Sequence, residues 1–218
     1  MTHTEDPQPE GDGPFSDYPW PIVRTQPFGP FRAPAERSFL DVFESRRSTR
    51  ALTSAPLESL VDVFRLALVS RFWKEDDALR RSRRPALSAG ALHPISVLLF
   101  SDATVYRVNA DACALEELDV SADLRADWVS KCKRVLPGAA GAFIALIADM
   151  ARPMAAYGNS ESLVWRDSGA LLQTLALAAE LYGLGFCPLG ILGSEVVAAL
   201  PEADQLVAVG AAAVGLPA

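Results

Sequence analysis

Residues 166–190 read RDSGALLQTLALAAELYGLGFCPLG, an apolar helix that stops abruptly in a glycine-rich strand and turn. Leu171, Leu172, Leu175, Ala178, Ala179 and Tyr182 cover several faces of that helix at once. Protein must therefore wrap it on most sides, as at a domain centre or an extensive subunit interface. Gly183 and Gly185 end it, because glycine reaches the left-handed conformation of helix C-termini without a Cβ clash. The strand that follows, Phe186–Leu189, carries no charge and belongs in a core.

Working outward, 218 residues of which 50% are hydrophobic suffice for one substantial domain, or for one subunit of a dimer with an extended interface. A formal charge of -7 argues against nucleic acid or an anionic membrane surface as the main partner, since both recruit basic surfaces. Arg80, Arg81, Arg83 and Arg84 are a local exception that reads as a solvated helix end or loop. The longest largely apolar run, 168–179, is shorter than the roughly 18 residues a membrane helix needs. Residues 1–37, rich in Pro, Gly and charge, hold no stretch of signal-peptide type, so a soluble protein is expected. Cys113, Cys132 and Cys187 lack any paired metal-knuckle spacing, and a reduced cytoplasmic setting suits them. His3 and His93 are too few and too distant for a histidine metal site, and only His93 could serve a hydrolase.

Residues 1–13 are polar and acidic and are expected to be disordered. From Phe15 to Phe31 prolines alternate with Phe15, Tyr18, Trp20, Phe28 and Phe31, which suits an extended arm laid over an apolar surface. The chain thus divides into a tail and arm over 1–37 and a domain over 38–218. Ser38 can cap a short helix through Phe43, and Pro56 can sit in the first turn of a second helix with Leu57, Leu60, Val61, Phe64 and Leu68 on one face. Ile95–Phe100 and Thr104–Val108 read as a hairpin turning at Asp102-Ala103. Helix is expected over Ser121–Arg134, strand over Ala142–Ala148, a short helix over Glu195–Leu200 and a last strand over Leu206–Val214. An adjacent antiparallel pair amid mixed elements points to an α+β sandwich.

Three segments far apart in sequence look built to hold an anion or a flat ring. In Arg46-Arg47-Ser48-Thr49-Arg50, guanidinium groups and a hydroxyl could clasp a phosphate through charge-assisted bonds. The small residues around Ser88, Ala89, Gly90, Ala91 and Leu92, before His93-Pro94, let backbone approach a planar ligand and offer it amides. Pro188, Leu189 and Gly190 close a strand end that presents backbone N–H groups.

Order and spacing of these segments resemble the nitroreductase superfamily, flavoenzymes that bind FMN at a homodimer interface, and within it the SagB/ThcOx-type dehydrogenases. The resemblance covers roughly residues 39–210. It implies a nitroreductase-like sandwich, a central and mostly antiparallel sheet flanked by helices, in an obligate-type homodimer. Arg46, Ser48 and Arg50, with Arg47 beside them, match the family segment that grips the flavin phosphate and pyrimidine edge. Leu87 to Pro94 match the segment that lines the ring from the other subunit, with Leu87 in place of a proline. Gly183 to Gly190 match the segment whose backbone amide faces flavin N5. A fixed cation such as Arg50 near the N1/O2 edge favours reduction of a flavin, which becomes anionic there.

Two positions depart from the pattern. The family's Lys-Tyr pair, an acid/base for azoline oxidation, is here Ala156-Tyr157, so only the tyrosine remains as a catalytic candidate, and a phenol alone is a weak base. Where many relatives place a phosphate-binding arginine after Val-Gly, Val209-Gly210 is followed by three alanines, which would weaken flavin binding or leave it to depend on the arginines near Arg84. The resemblance implies a cytoplasmic FMN-dependent oxidoreductase of a small-molecule or peptide-borne group in a specialised biosynthetic pathway, with a pathway partner protein possible. The competing expectation is a degenerate binding or scaffold protein of the same fold without redox turnover.

Overall fold

The computed structural model describes residues 5–101 and 103–218. Its frame is an antiparallel sheet of seven main strands: β1 (Ile22–Pro27), β2 (Ile95–Phe100), β3 (Val105–Asn109), β4 (Ala114–Leu118), β5 (Ala142–Asp149), β6 (Gly185–Leu189) and β7 (Leu206–Pro217). Their order is β6-β7-β5-β2-β3-β4-β1, and Leu52–Thr53 add a short eighth strand on the C-terminal end of β7. The helices are α1 (Phe39–Ser45), α2 (Leu57–Leu68), α3 (Ala122–Val135), α4 (Ala151–Ala156), α5 (Glu161–Leu181) and α6 (Ser194–Ala198).

The central strands are apolar on both faces because both are covered. Ile144, Leu146 and Ala148 of β5 pack with α2 and α5, through Phe64, Leu171 and Leu175. Phe143, Ala145 and Ile147 point the other way, into a second cluster around Trp128 of α3 and Val196 of α6. The result is a helix-sheet-helix sandwich, the α+β arrangement expected, with β6 on one edge of the sheet and β1 on the other.

Helix starts follow the chemistry of their caps. The Ser38 Oγ accepts from the Asp41 N–H at 3.1 Å, and the Ser121 Oγ accepts from the Leu124 N–H at 3.1 Å. Pro56 sits one residue earlier than expected, at the N-cap of α2.

Several expectations need correction. Asp102 of the expected turn lies outside the described residues, as do residues 1–4, but from Glu5 onward the segment expected to be disordered is tied down. Gln8–Pro9 pair with Tyr157–Gly158, and the N–H groups of Glu10 and Gly13 donate to the carbonyls of Ala156 (3.0 Å) and Ala155 (2.9 Å). Backbone hydrogen bonds hold it, so it needs no apolar surface. The arm is partly a strand, since β1 pairs along β4 as the sheet edge, and Tyr18 is buried with its hydroxyl donating to the Pro201 carbonyl at 2.6 Å. The residues around Arg80–Arg84 are loop, one of the two expected forms, broken by a two-residue strand, and they are paired with acids rather than simply solvated. Ser82–Arg83 pair with Phe72–Trp73, and the arginines carry partners: Arg81 with Asp12 and Asp77, Arg80 with Asp17, Arg84 with Asp111. Within the single chain helix α5 is covered except along a stripe of Trp165, Arg166, Gly169 and Gln173, the side that a subunit interface of the kind expected would cover.

Candidate functional site

The first cluster of chemistry-bearing residues lies where α1 ends against β6. Helix α1 closes with the Arg46 N–H on the Val42 carbonyl at 3.1 Å, and Ser45 Oγ and Arg37 both bond the Glu180 carboxylate on the last turn of α5. The chain then runs extended beside β6, where Ser48 bridges Phe186 in parallel and the Thr49 N–H donates to the Phe186 carbonyl at 3.1 Å. A side chain at Gly185 would place its Cβ 2.5 Å from Leu52 Cδ2 and 2.9 Å from Thr49 Cβ, so the close approach requires glycine. Pro188 suits this outer edge, where its missing N–H is not needed by the β7 ladder. Arg47, Ser48 and Arg50 are exposed and Arg46 half-buried, and among the described residues none of the three arginines makes an ion pair. Gly190 has open space above it. Three unneutralised guanidiniums around a hydroxyl and a strand edge can hold a phosphate-sized anion. Cys187 supplies no nucleophile here: burial pushes its thiol pKa up, with Arg50 opposing only in part.

The second cluster lies at the other end of α5. Ala89–Ala91 form a single tight turn with φ of +58° at Gly90 and +57° at Ala91, continued by +48° at His93. Asp167 anchors the turn, accepting from Ser88 Oγ at 2.5 Å and from the Ala89 N–H at 3.0 Å, while Ser88 Oγ accepts from the His93 N–H at 2.9 Å. Burial raises the Asp167 pKa, and those two donors hold it down only in part. Tyr157, the C-cap of α4, lies across the turn: a Cβ on Gly90 would stand 2.8 Å from its hydroxyl. Tyr157, Gly90 and the exposed N-terminal face of α5 thus form one surface. Sequence reasoning missed Asp167, although its charge at the start of the long apolar run of α5 was the available signal.

Fourteen residues of α5 separate Asp167 from Leu181, about 20 Å at helical rise, so one chain does not bring the clusters together. Comparison with known proteins bears on this layout. The nitroreductase family profile matches residues 43–216, four-fifths of the chain. The chain belongs to the nitroreductase family. A search of curated proteins finds no match. Among solved structures, a protein from Ralstonia eutropha JMP134 assigned to the nitroreductases superposes with a TM-score of 0.65 at 16% identity, covering 98% of this chain and 99% of that one. A chain of the E. coli microcin synthetase McbBCD complex with truncated pro-MccB17 bound gives 0.57 at 18% identity, over 85% and 74%. A nitroreductase-type protein in complex with FMN from Desulfovibrio desulfuricans gives 0.50 at 18%, over 84% and 88%. At these identities the likeness is one of fold.

Two departures from the family pattern have structural reasons. Ala156 is buried with Leu79 and Leu92, and Phe15 of the arm packs on the same group, so a lysine ammonium has no room at that position. Ala211, Ala212 and Ala213 are wholly buried and paired on one side with β5 and on the other with β6, leaving no space for a long side chain. The arginines near Arg84 do not reach the first cluster; Arg84 donates to Ser82 and Asp111 instead.

Proposed function

We propose that this nitroreductase-family chain is the subunit of a homodimeric FMN-dependent oxidoreductase acting on a small-molecule or peptide-borne group in a specialised biosynthetic pathway. One observation supports the reading: the two candidate clusters lie at opposite ends of α5, with the exposed stripe of that helix between them. A second copy placed antiparallel along α5 would bring the Arg46-Ser48-Arg50 clasp of one subunit to the Ser88–Leu92 turn of its partner.

The donor set fits FMN. In this reading Arg46, Arg47 and Arg50 with Ser48 hold the phosphate and the pyrimidine edge, the β6 edge at Pro188, Leu189 and Gly190 lies along the ring, and Ser88, Ala89, Gly90, Ala91 and Leu92 line its other side. Bound FMN supplies a two-electron acceptor. The turn at Gly90 lets backbone approach closely, Asp167 fixes that turn, and the Tyr157 hydroxyl above Gly90 is placed to give or relay a proton to a substrate. The likeness to a subunit of an assembly that holds a pro-peptide supports a peptide-borne substrate and a partner protein.

A second reading, a flavin-free scaffold, is favoured by the filled positions at Ala156 and Ala211–Ala213. Titration of apoprotein with FMN separates the two. The enzyme reading expects yellow protein and quenched flavin fluorescence, with Arg46→Ala and Arg50→Ala each weakening affinity about ten- to a hundredfold, the loss of one charge-assisted hydrogen bond. Colourless protein that FMN does not stabilise would favour the scaffold, and unchanged affinity in both variants would remove the clasp assignment.

A further inference from the structure

Behind the Ser88–Leu92 turn a cleft of about 630 Å³ opens between the arm, the start of β2 and the β3–β4 turn. Arg80, Arg84, Arg107 and Arg152 line it. Arg152 is only 8% exposed and Arg84 nearly as buried, which is an unfavourable place for guanidiniums unless anions meet them. The resident anions are few. Arg107 is spent on Glu116 and Arg84 on Asp111 at 2.6 Å. One carboxylate, Asp17, serves two arginines, accepting from Arg152 Nη2 at 2.8 Å and from Arg80 Nη1 at 2.9 Å. The third acid in the lining, Asp149, is taken by the N–H groups of Tyr18 and Ala151 and by Gln205.

Among the described residues Arg80, Arg84 and Arg152 draw their ion pairs from two of the three lining carboxylates, Asp17 and Asp111, none of the three pairs with Asp149, and Arg152 Nε is buried with no hydrogen-bond partner. The His93 ring on the same wall adds no further cation. Its pKa falls to about 4, first through burial and then through Arg84 and Arg152, so the ring is neutral at pH 7. The two carboxylates come from the surface rather than the core: Asp17 sits on the arm, 43% exposed, and Asp111 in the β3–β4 turn, 30% exposed. Part of the remaining lining is apolar or aromatic, with Leu68, Ile95, Val108 and Trp20, whose ring lies 5.2 Å from the Arg107 guanidinium, and Ser96 and Asn109 add polar groups.

We propose that this cleft binds a small molecule through a carboxylate or phosphate group, received by Arg80, Arg84 and Arg152 in exchange for the Asp17 carboxylate. Asp17 is the internal stand-in for that oxyanion, and the apolar wall takes the body of the ligand. The site is separate from the proposed flavin clasp and does not depend on it. It does share a wall with the Tyr157 surface, because the Leu92 carbonyl accepts from Arg152 Nη1 at 3.0 Å and α4 carries both Arg152 and Tyr157.

Calorimetric titration of the purified full-length protein with inorganic phosphate and with succinate, at constant ionic strength, tests this. At least one probe is expected to bind; phosphate alone points to a phosphoester ligand, succinate alone to a carboxylate. Arg80 is half-exposed, so Arg80→Gln keeps the fold and should weaken binding about tenfold, the loss of a charge-assisted contact. Asp17→Asn should tighten it several-fold by removing the competitor, which a purely structural ion network would not do. Arg46→Ala should leave it unchanged. Absence of binding by both probes, an Asp17→Asn variant no tighter than wild type, or binding lost in Arg46→Ala but kept in Arg80→Gln would overturn the proposal; the last result would place the anion at the flavin clasp and leave the proposed function standing.

Discussion

Tyr157 stands alone where the resemblance puts a lysine-tyrosine pair in relatives, and its surroundings decide what it can do. Its hydroxyl lies over Gly90, whose left-handed backbone no other residue adopts without strain, and a Cβ there would collide with that hydroxyl. The phenol is thus aimed at the turn that would line the cofactor. If it moves a proton to substrate, Tyr157→Phe lowers turnover by roughly 10²–10⁴-fold, the range for positioned acid–base groups, while flavin content and thermal stability stay near wild type. Wild-type turnover in the variant would make the residue structural. Ala156→Lys, which would restore the pair, is instead expected to lower stability. Its ammonium would enter the pocket of Leu79 and Leu92, and a thermal melt detects the loss.

At the scale of elements, α5 does more than fill the core: through Asp167 it fixes the Ser88–Leu92 turn. Asp167→Ala leaves the Ser88 hydroxyl and Ala89 N–H without their acceptor and should cost about 2 kcal/mol, measured by denaturant unfolding. Asp167→Asn keeps an acceptor and carries no charge. Because burial raises the Asp167 pKa, its ionisation in the native state opposes folding. Stability from this group is full below the unfolded carboxylate range and is lost as pH rises through the folded pKa. The Asn variant should therefore be at least as stable as wild type at pH 7, and that advantage should vanish on acidification; an Asn variant that is weaker at pH 7 than at pH 4, relative to wild type, contradicts this. The central elements were legible because their apolar patterns are strong. β5 is apolar at every position from Ala142 to Ala148, and α1 and α3 carry serine caps. What escaped notice lacks such patterns. β1 is exposed along its whole length and is held by backbone pairing to β4, while β4 hides its register behind Glu116 and Glu117, the first buried by Arg107 and Asn109. Helix α4 was masked by Pro153, which is tolerated near the first turn. The site segments were legible one by one from residue type, yet their places at two ends of one helix were not, since distance along α5 is a property of the fold.

For the whole molecule, that separation makes the oligomeric state the decisive quantity. Phe39, Leu40 and Phe43 of α1 are more than half exposed, and Trp165 on the bare stripe of α5 is 45% exposed. Exposed aromatic and aliphatic side chains on α1 and at Trp165 of α5 are what a subunit interface would cover, and the two ends of α5 each carry one cluster of the candidate site. Burying them in a two-fold interface of at least ~1,600 Å² would cover the aromatic residues and close the site in one step. Light scattering should then give twice the 23.4 kDa of the chain at micromolar concentration. A charge placed in the middle of that surface must be desolvated on association, so Phe43→Glu and Trp165→Glu should each shift the protein toward monomer. Neither residue belongs to the clasp or the turn, so FMN affinity should fall with the dimer in both variants and recover together with it at high protein concentration. Monomers that bind FMN as tightly as wild type would mean that one chain holds the cofactor unaided, and the two clusters at the ends of α5 would then need separate explanations.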